Sequence, residues 1–239
     1  MQGIWRVIPS PAMTEIIAMS GFDYQIFDCE HGAYDYITLE QDIRACDLHN
    51  CAPYVRVSGL DQVQVQRCMD LGARGIVFPG LKEYDDFKAA TKMVKYAPEG
   101  TRGFNPFVRG WGYGFTDGRK AELVCCIIVE TLNAVDELDK ILTLPGIDMI
   151  YIGSYDLSAQ LGCIGEMTNP ILTKVVDTII EKCVNASVTV GLMLANAEQY
   201  VSLSNKGITS FVHTVDSAQL KKVFTNAIED IKAKAIWQK

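Results

Sequence analysis

No stretch of the 239-residue chain approaches the roughly 20 consecutive apolar residues needed to cross a bilayer. The opening Met1-Gln-Gly-Ile-Trp-Arg-Val also lacks a basic region followed by an apolar signal core, so a soluble, cytoplasmic protein with no membrane partner is expected. Excess cationic charge is missing: 22 Lys and Arg face 29 Asp and Glu, for a net charge of −7. Such a balance opposes nucleic-acid binding, which needs a concentrated basic surface to displace phosphate counterions. Histidines number three, and the eight cysteines include no CxxC pair, which leaves a Cys/His zinc site little to stand on. Most of the cysteines fall within apolar runs and read as small buried hydrophobes, not as a disulfide framework. Neither phosphate-loop pattern, GxxxxGK[ST] or GxGxxG, occurs, despite the Gly110-Trp-Gly-Tyr-Gly114 run, and no GxSxG elbow marks a serine hydrolase.

What the chain does have is a repeating order. Eight apolar runs, at 4–8, 24–28, 53–57, 75–79, 124–130, 149–153, 188–194 and 210–215, are separated by helix-like segments. Strands buried on both faces of a parallel sheet read as continuous apolar runs, and these do. The intervening segments carry helix punctuation. Ser10-Pro11 opens one that Gly21 ends, Thr38 with Gln41 resembles a capping box, and Asp61 opens one that stops at Gly72. Asn133, Asn169-Pro170 and Asn196 open three more, and 217–234 forms the last. Eight β/α units without a composition break predict a single (β/α)8 barrel spanning 1–239. One irregular stretch, residues 97–119, breaks the rhythm with eight glycines and prolines among aromatics, and its length argues for a lid or a subunit contact.

In such barrels the active site lies at the C-terminal ends of the strands, so polar residues that end apolar runs are the candidates. The filter selects Asp28 with Glu30 and His31, Arg56, Glu130, Asp156 and His213. A carboxylate emerging from Cys125-Cys-Ile-Ile-Val-Glu130 is costly to leave unpaired. Glu130 and Asp156, on adjacent strands, could share one cation, and two carboxylates with water and substrate oxygens suit Mg²⁺ or Mn²⁺ better than Zn²⁺. Equally open is a structural arrangement in which Glu130 pairs with Arg56 and Asp156 caps a short helix at 157–161. Arg56 points a fixed cation into the mouth, where it could neutralise a developing enolate oxygen. His31, beside two acids, is placed for proton transfer. Lys82 comes nearest to a Schiff-base lysine but is a weak contender.

Several separated motifs then resemble the HpcH/HpaI aldolase and citrate lyase β-subunit family of metal-dependent 2-oxo acid aldolases. They are Gly21-Phe-Asp-Tyr-Gln-Ile-Phe-Asp-Cys-Glu-His31, Val55-Arg-Val57, Asp70-Leu-Gly-Ala73, Pro98-Glu-Gly-Thr-Arg-Gly103, Val129-Glu-Thr131 and Gly146-Ile-Asp-Met-Ile-Tyr-Ile-Gly-Ser-Tyr-Asp-Leu-Ser158. The resemblance implies a class II aldolase that joins pyruvate, or a close 2-oxo acid, to an aldehyde. It implies Glu130 and Asp156 as ligands of a divalent metal, Mg²⁺ first and Mn²⁺ or Co²⁺ in its place. Arg56 would contact the oxo group, backbone N–H groups at Gly153, Ser154 and Tyr155 would meet the substrate carboxylate, and Trp5 would line the same pocket. His31 would be the acid/base group, paired with Asp70 of a neighbouring subunit. A homohexamer built as a trimer of dimers, with the C-terminal helix open to exchange between subunits, is implied as well. The chain departs from the family pattern at Ile128, Ser154, Tyr155 and Val215, all near the substrate. Two other functions compete: a citrate-synthase-like condensation or cleavage involving a CoA thioester, and a barrel that has lost catalysis and serves in binding or assembly.

Overall fold

A computed structural model of the protein describes residues 1–114 and 123–234. The eight apolar runs are eight strands: β1 (Gln2–Arg6), β2 (Tyr24–Asp28), β3 (Ala52–Arg56), β4 (Gly75–Phe78), β5 (Val124–Val129), β6 (Met149–Ile152), β7 (Thr189–Met193) and β8 (Ser210–Val215). All pair in parallel in chain order, and β8 returns to β1, so the sheet closes into a barrel with no free edge. The helices are α1 (Pro11–Met19), α2 (Tyr36–Leu48), α3 (Gln62–Asp70), α4 (Tyr84–Met93), α5 (Leu132–Asp136), α6 (Leu138–Ile141), α7 (Ser154–Gln160), α8 (Pro170–Asn185), α9 (Gln199–Asn205) and α10 (Asp216–Lys234). None among the described residues is long and apolar enough to cross a membrane. The cysteines all carry free thiols, and all but half-buried Cys29 are buried, as their apolar settings predict.

Local chemistry explains most helix starts. Ser10, Asp61 and Asn169 each accept backbone N–H groups of their own first turns, satisfying donors that a helix start leaves orphaned. Two expectations need correction. Asp35, not Thr38, caps α2: its carboxylate takes the Thr38 N–H at 2.8 Å and so places Thr38 inside the first turn. The helix expected from Asn133 starts at a Thr131 cap and breaks at Glu137 into α5 and α6.

Side-chain alternation sorts the core into two layers. Outward-facing Phe27, Val55, Ile76, Ile127, Ile150 and Leu192 pack against the helices. Inward-facing Trp5, Tyr24, Ile26, Tyr54, Cys126, Ile128, Met149 and Tyr151 fill the barrel. Towards the floor, the Tyr24 and Tyr54 rings stack 5.1 Å apart, and the Tyr24 hydroxyl hydrogen-bonds the Ser210 hydroxyl at 2.8 Å. The Tyr24 ring lies so close over Gly3 that a side chain there would overlap it.

Two parts stand off this scheme. From residue 217 to residue 233, α10 is exposed except for half-buried Leu220, leaving Val223, Phe224, Ile228 and Ile231 open to solvent. The irregular stretch is, over its described part, bound to the side of the barrel. Arg102 donates to Asp70 at 3.0 Å, and Arg109 donates to the Leu71 carbonyl at 2.8 Å and to Asp47 at 2.5 Å. The Trp111 indole donates to the Tyr96 hydroxyl at 2.5 Å. Residues 97–114 line no part of the mouth, so the lid expectation fails for them; residues 115–119 lie outside the described residues.

Candidate active site

The inward-facing parity of β2, β3 and β5 continues to the rim, where it delivers Asp28, Arg56 and Glu130 in place of apolar side chains. Asp28 and Arg56 are direct partners in the β2–β3 register. Their side chains meet in a fork: Arg56 Nε donates to Asp28 Oδ1 at 2.9 Å and Nη2 to Oδ2 at 2.5 Å. The third guanidinium nitrogen, Nη1, reaches Glu30 Oε2 at 2.9 Å. Below them the Trp5 ring lies 4.8 Å from the guanidinium carbon, and its indole N–H donates to Asp28 Oδ2 at 3.2 Å. Asp28 also accepts the backbone N–H groups of Glu30 and His31, fixing the turn that carries them. Burial alone would raise the Asp28 pKa. The hydrogen bonds and charge of Arg56, with the His31 amide and the Trp5 indole, outweigh it and hold the carboxyl below the usual range.

Glu130 follows Val129, which pairs with Ile152, so it stands beside Gly153 at the ends of β5 and β6. Gly153 must be glycine: a Cβ there would sit 2.5 Å from Glu130 Cβ and 3.2 Å from Glu130 Oε2. The Gly80 N–H donates to Glu130 Oε1 at 2.5 Å. Gln160 fixes the chain after the strand, donating to the Glu130 carbonyl and accepting the Leu132 N–H, both at 3.0 Å. The Glu130 pKa is raised, chiefly by burial and then by the charges of Asp156 and Glu30, against the Gly80 N–H and Arg56. The alternative in which Arg56 pairs with Glu130 is not what the molecule adopts, because the guanidinium is turned to Asp28 and Glu30, which use one N–H on each nitrogen and leave Nη1 and Nη2 one N–H apiece. Asp156 lies in the first turn of α7, exposed to the mouth.

One cavity of about 570 Å³ joins these groups, and Trp5, His31, Arg56, Glu130, Gly153, Ser154, Tyr155 and Asp156 all line it. His31 is 72% exposed, its Nε2 3.9 Å from Glu30 Oε2. Asp70 is not brought to this mouth; it ends α3 in its ion pair with Arg102. His213 lies outside the mouth, on Gln2 at 2.5 Å, and Lys82 is not in the lining. The Gly153 N–H donates to the Val129 carbonyl at 3.0 Å, which corrects the expectation that it is free for a substrate carboxylate. The Gly80 amide and Gln160 were not anticipated. The turn after β4 was the only signal for the first, and nothing in sequence marked the second.

The residues present fit a divalent cation. Glu130 and Asp156 face one cavity, the Asp156 charge helps to raise the Glu130 pKa, and Gly153 places no side chain against Glu130 Oε2. Among the described residues no group of three or more His, Cys, Asp or Glu is arranged to hold a metal ion. Mg²⁺-type sites commonly use one or two carboxylates and complete their shell with water and substrate oxygens.

Fold and rim together define a (β/α)8 barrel whose mouth opposes a clamped arginine to a pair of carboxylates. The chain belongs to the HpcH/HpaI aldolase/citrate lyase family, whose model matches residues 2–220. It is 31% identical over 182 residues to a pyruvate aldolase of Rhizobium etli, covering 74% of this chain and 72% of that one. It is 29% identical over 222 residues to the 2-dehydro-3,6-dideoxy-6-sulfogluconate aldolase of Pseudomonas putida, covering 91% and 87%. An HpcH/HpaI aldolase/citrate lyase family protein from Burkholderia cenocepacia superimposes with a TM-score of 0.91 at 25% identity, covering 97% of this chain and 94% of that one.

Proposed function

We propose that this carbon–carbon lyase cleaves or forms a 4-hydroxy-2-oxo acid, interconverting it with pyruvate or a close 2-oxo acid and an aldehyde. Glu130 and Asp156 hold the divalent metal, Mg²⁺ by preference with Mn²⁺ or Co²⁺ as substitutes. A bound cation of this kind supplies positive charge where negative charge builds on the oxygens of the 2-oxo acid. The observation that carries the reading is the separation of charges at the rim: Arg56 is engaged by Asp28 and Glu30, while Glu130 and Asp156 share a cavity and, among the described residues, no Lys or Arg forms an ion pair with either.

The chain's own groups divide the work. Arg56, held rigid by its fork and by the Trp5 face, directs its cation at the 2-oxo oxygen, where preorganised charge is most effective. The backbone at Ser154 and Tyr155 meets the substrate carboxylate on the opposite rim. His31, at hand in the mouth, removes the 4-hydroxyl proton; the C3–C4 bond breaks, the aldehyde leaves, and its electron pair passes towards the 2-oxo group beside Arg56. Protonation of C3 then gives the 2-oxo acid. In this reading Asp70, outside the mouth of its own chain, serves His31 of a neighbouring chain in a homohexamer. The exposed apolar residues of α10 support association, since a large unpaired apolar stripe is a contact surface. A cytoplasmic setting suits eight free thiols.

Exchange of the pyruvate methyl protons with deuterium, followed by NMR, tests the proposal. We expect exchange with Mg²⁺ in the wild type and a loss of on the order of 100-fold or more in Glu130→Gln, the scale of removing a principal charge-stabilising group. A wild type inert with Mg²⁺, Mn²⁺ and Co²⁺ would refute it. Turnover of oxaloacetate with acetyl-CoA in place of pyruvate with aldehydes would replace it by thioester condensation.

A further inference from the structure

The two carboxylates of the rim stand on different elements, Glu130 on the turn after β5 and Asp156 on α7. That short helix straddles the turn. Just before its first residue the Gly153 N–H donates to the carbonyl of Val129, the neighbour of Glu130, at 3.0 Å. At its end the Gln160 side chain donates to the carbonyl of Glu130 itself and accepts the N–H of Leu132, each at 3.0 Å. Both ends of the helix that carries Asp156 are therefore bound to residues 129–132, the segment that carries Glu130. The same turn is also tied to the turn after β4: the Asn133 amide donates to the Lys82 carbonyl at 2.5 Å, and the Gly80 N–H holds Glu130 Oε1.

We infer that Gln160 is a positioning residue for the metal pair: its amide sets the separation of the Glu130 and Asp156 carboxylates, and with it the affinity for a divalent cation and the choice among cations. The inference rests on the aldolase reading, in which those two carboxylates hold the metal. Asp156 and Gln160 are four residues apart in one helix and so lie on one face of it, a turn apart. Binding Gln160 to the backbone at 130 and 132 turns that face, and Asp156 with it, towards Glu130. Core packing does not supply this. Leu157 is buried in the helix layer and keeps α7 on the barrel, but apolar contact is non-directional and sets no angle about the helix axis. Gln160 itself is exposed, so replacing it opens no cavity. Mg²⁺ demands near-ideal octahedral geometry, whereas Ca²⁺ accepts variable coordination, so a loosened pair loses the smaller ion first.

The test is cation binding to the protein without substrate: Mn²⁺ titration followed by EPR, with Mg²⁺ and Ca²⁺ measured as competitors. The variant is Gln160→Met, similar in length and helix propensity but unable to make either hydrogen bond. Removing a group that orients a metal ligand typically costs about 10–100-fold in affinity, so Mn²⁺ and Mg²⁺ should bind about tenfold or more weaker. Ca²⁺ should change by less than about threefold, and the thermal melt should move by only a few degrees, the scale of two exposed hydrogen bonds. Gln160→Ala, which removes the same two bonds, should behave alike. Mn²⁺ affinity kept within about threefold in either variant, or an equal loss for all three ions, overturns the inference whatever the melt does. A wild type that binds Mn²⁺ no more tightly than Glu130→Gln overturns the reading beneath it; one that binds more tightly, with Gln160→Met unchanged from it, overturns the positioning role alone.

Discussion

At the scale of single residues, Arg56 is the most constrained side chain of the rim. Its fork with Asp28 and its third contact with Glu30 use the planar geometry of a guanidinium, which an ammonium cannot reproduce. Arg56→Lys should therefore keep the charge and lose the aim, lowering kcat by roughly 10²–10³ in steady-state aldol cleavage, the cost of removing one preorganised donor. A variant within threefold of wild type would show that charge alone suffices. These residues were legible because polar side chains ending apolar strands are conspicuous: Asp28, Arg56 and Glu130 follow from the strand pattern alone. Gly80 was not legible, since its contribution is a backbone N–H that any residue but proline possesses. Nor was the engagement of the Gly153 N–H by Val129, because sequence does not say which amides at a strand end remain in the ladder.

At the scale of elements, the stretch over residues 97–114 shows what composition can and cannot tell. Its glycines and prolines announce irregular backbone, but nothing in them names the neighbour, and two arginines turn it to α2 and α3. Arg109→Ala removes hydrogen bonds to a carboxylate and a carbonyl, each charge-assisted bond worth about 1.5–3 kcal/mol. Local opening should rise about tenfold or more, read as faster tryptic cleavage within the stretch under native conditions; unchanged cleavage would mean that the Trp111 and Arg102 contacts suffice. Strand positions were readable to within two residues, since burial on both faces writes itself as an apolar run. Caps were harder: Asp35 and Thr38 are both good capping residues three apart, and only the backbone decides between them.

For the whole molecule, closure of eight strands explains why so much of the fold could be read early and why assembly could not. The barrel is set by local β/α repetition, whereas the association we propose rests on a surface that shows itself only once α10 is seen with Phe224 and Ile228 exposed. The double change Phe224→Glu with Ile228→Glu should reduce the mass seen by light scattering after size exclusion, because burying two carboxylates in an apolar contact is costly. An unaltered mass would assign the contact to another face.

The stacked tyrosines inside the barrel have a consequence for traffic. With Tyr24 and Tyr54 packed across its base and Tyr24 pressed on Gly3, the molecule is a cup and not a pipe. Both reactants enter, and both products depart, through one doorway, so whichever molecule sits nearer the rim has to go before the deeper one can follow.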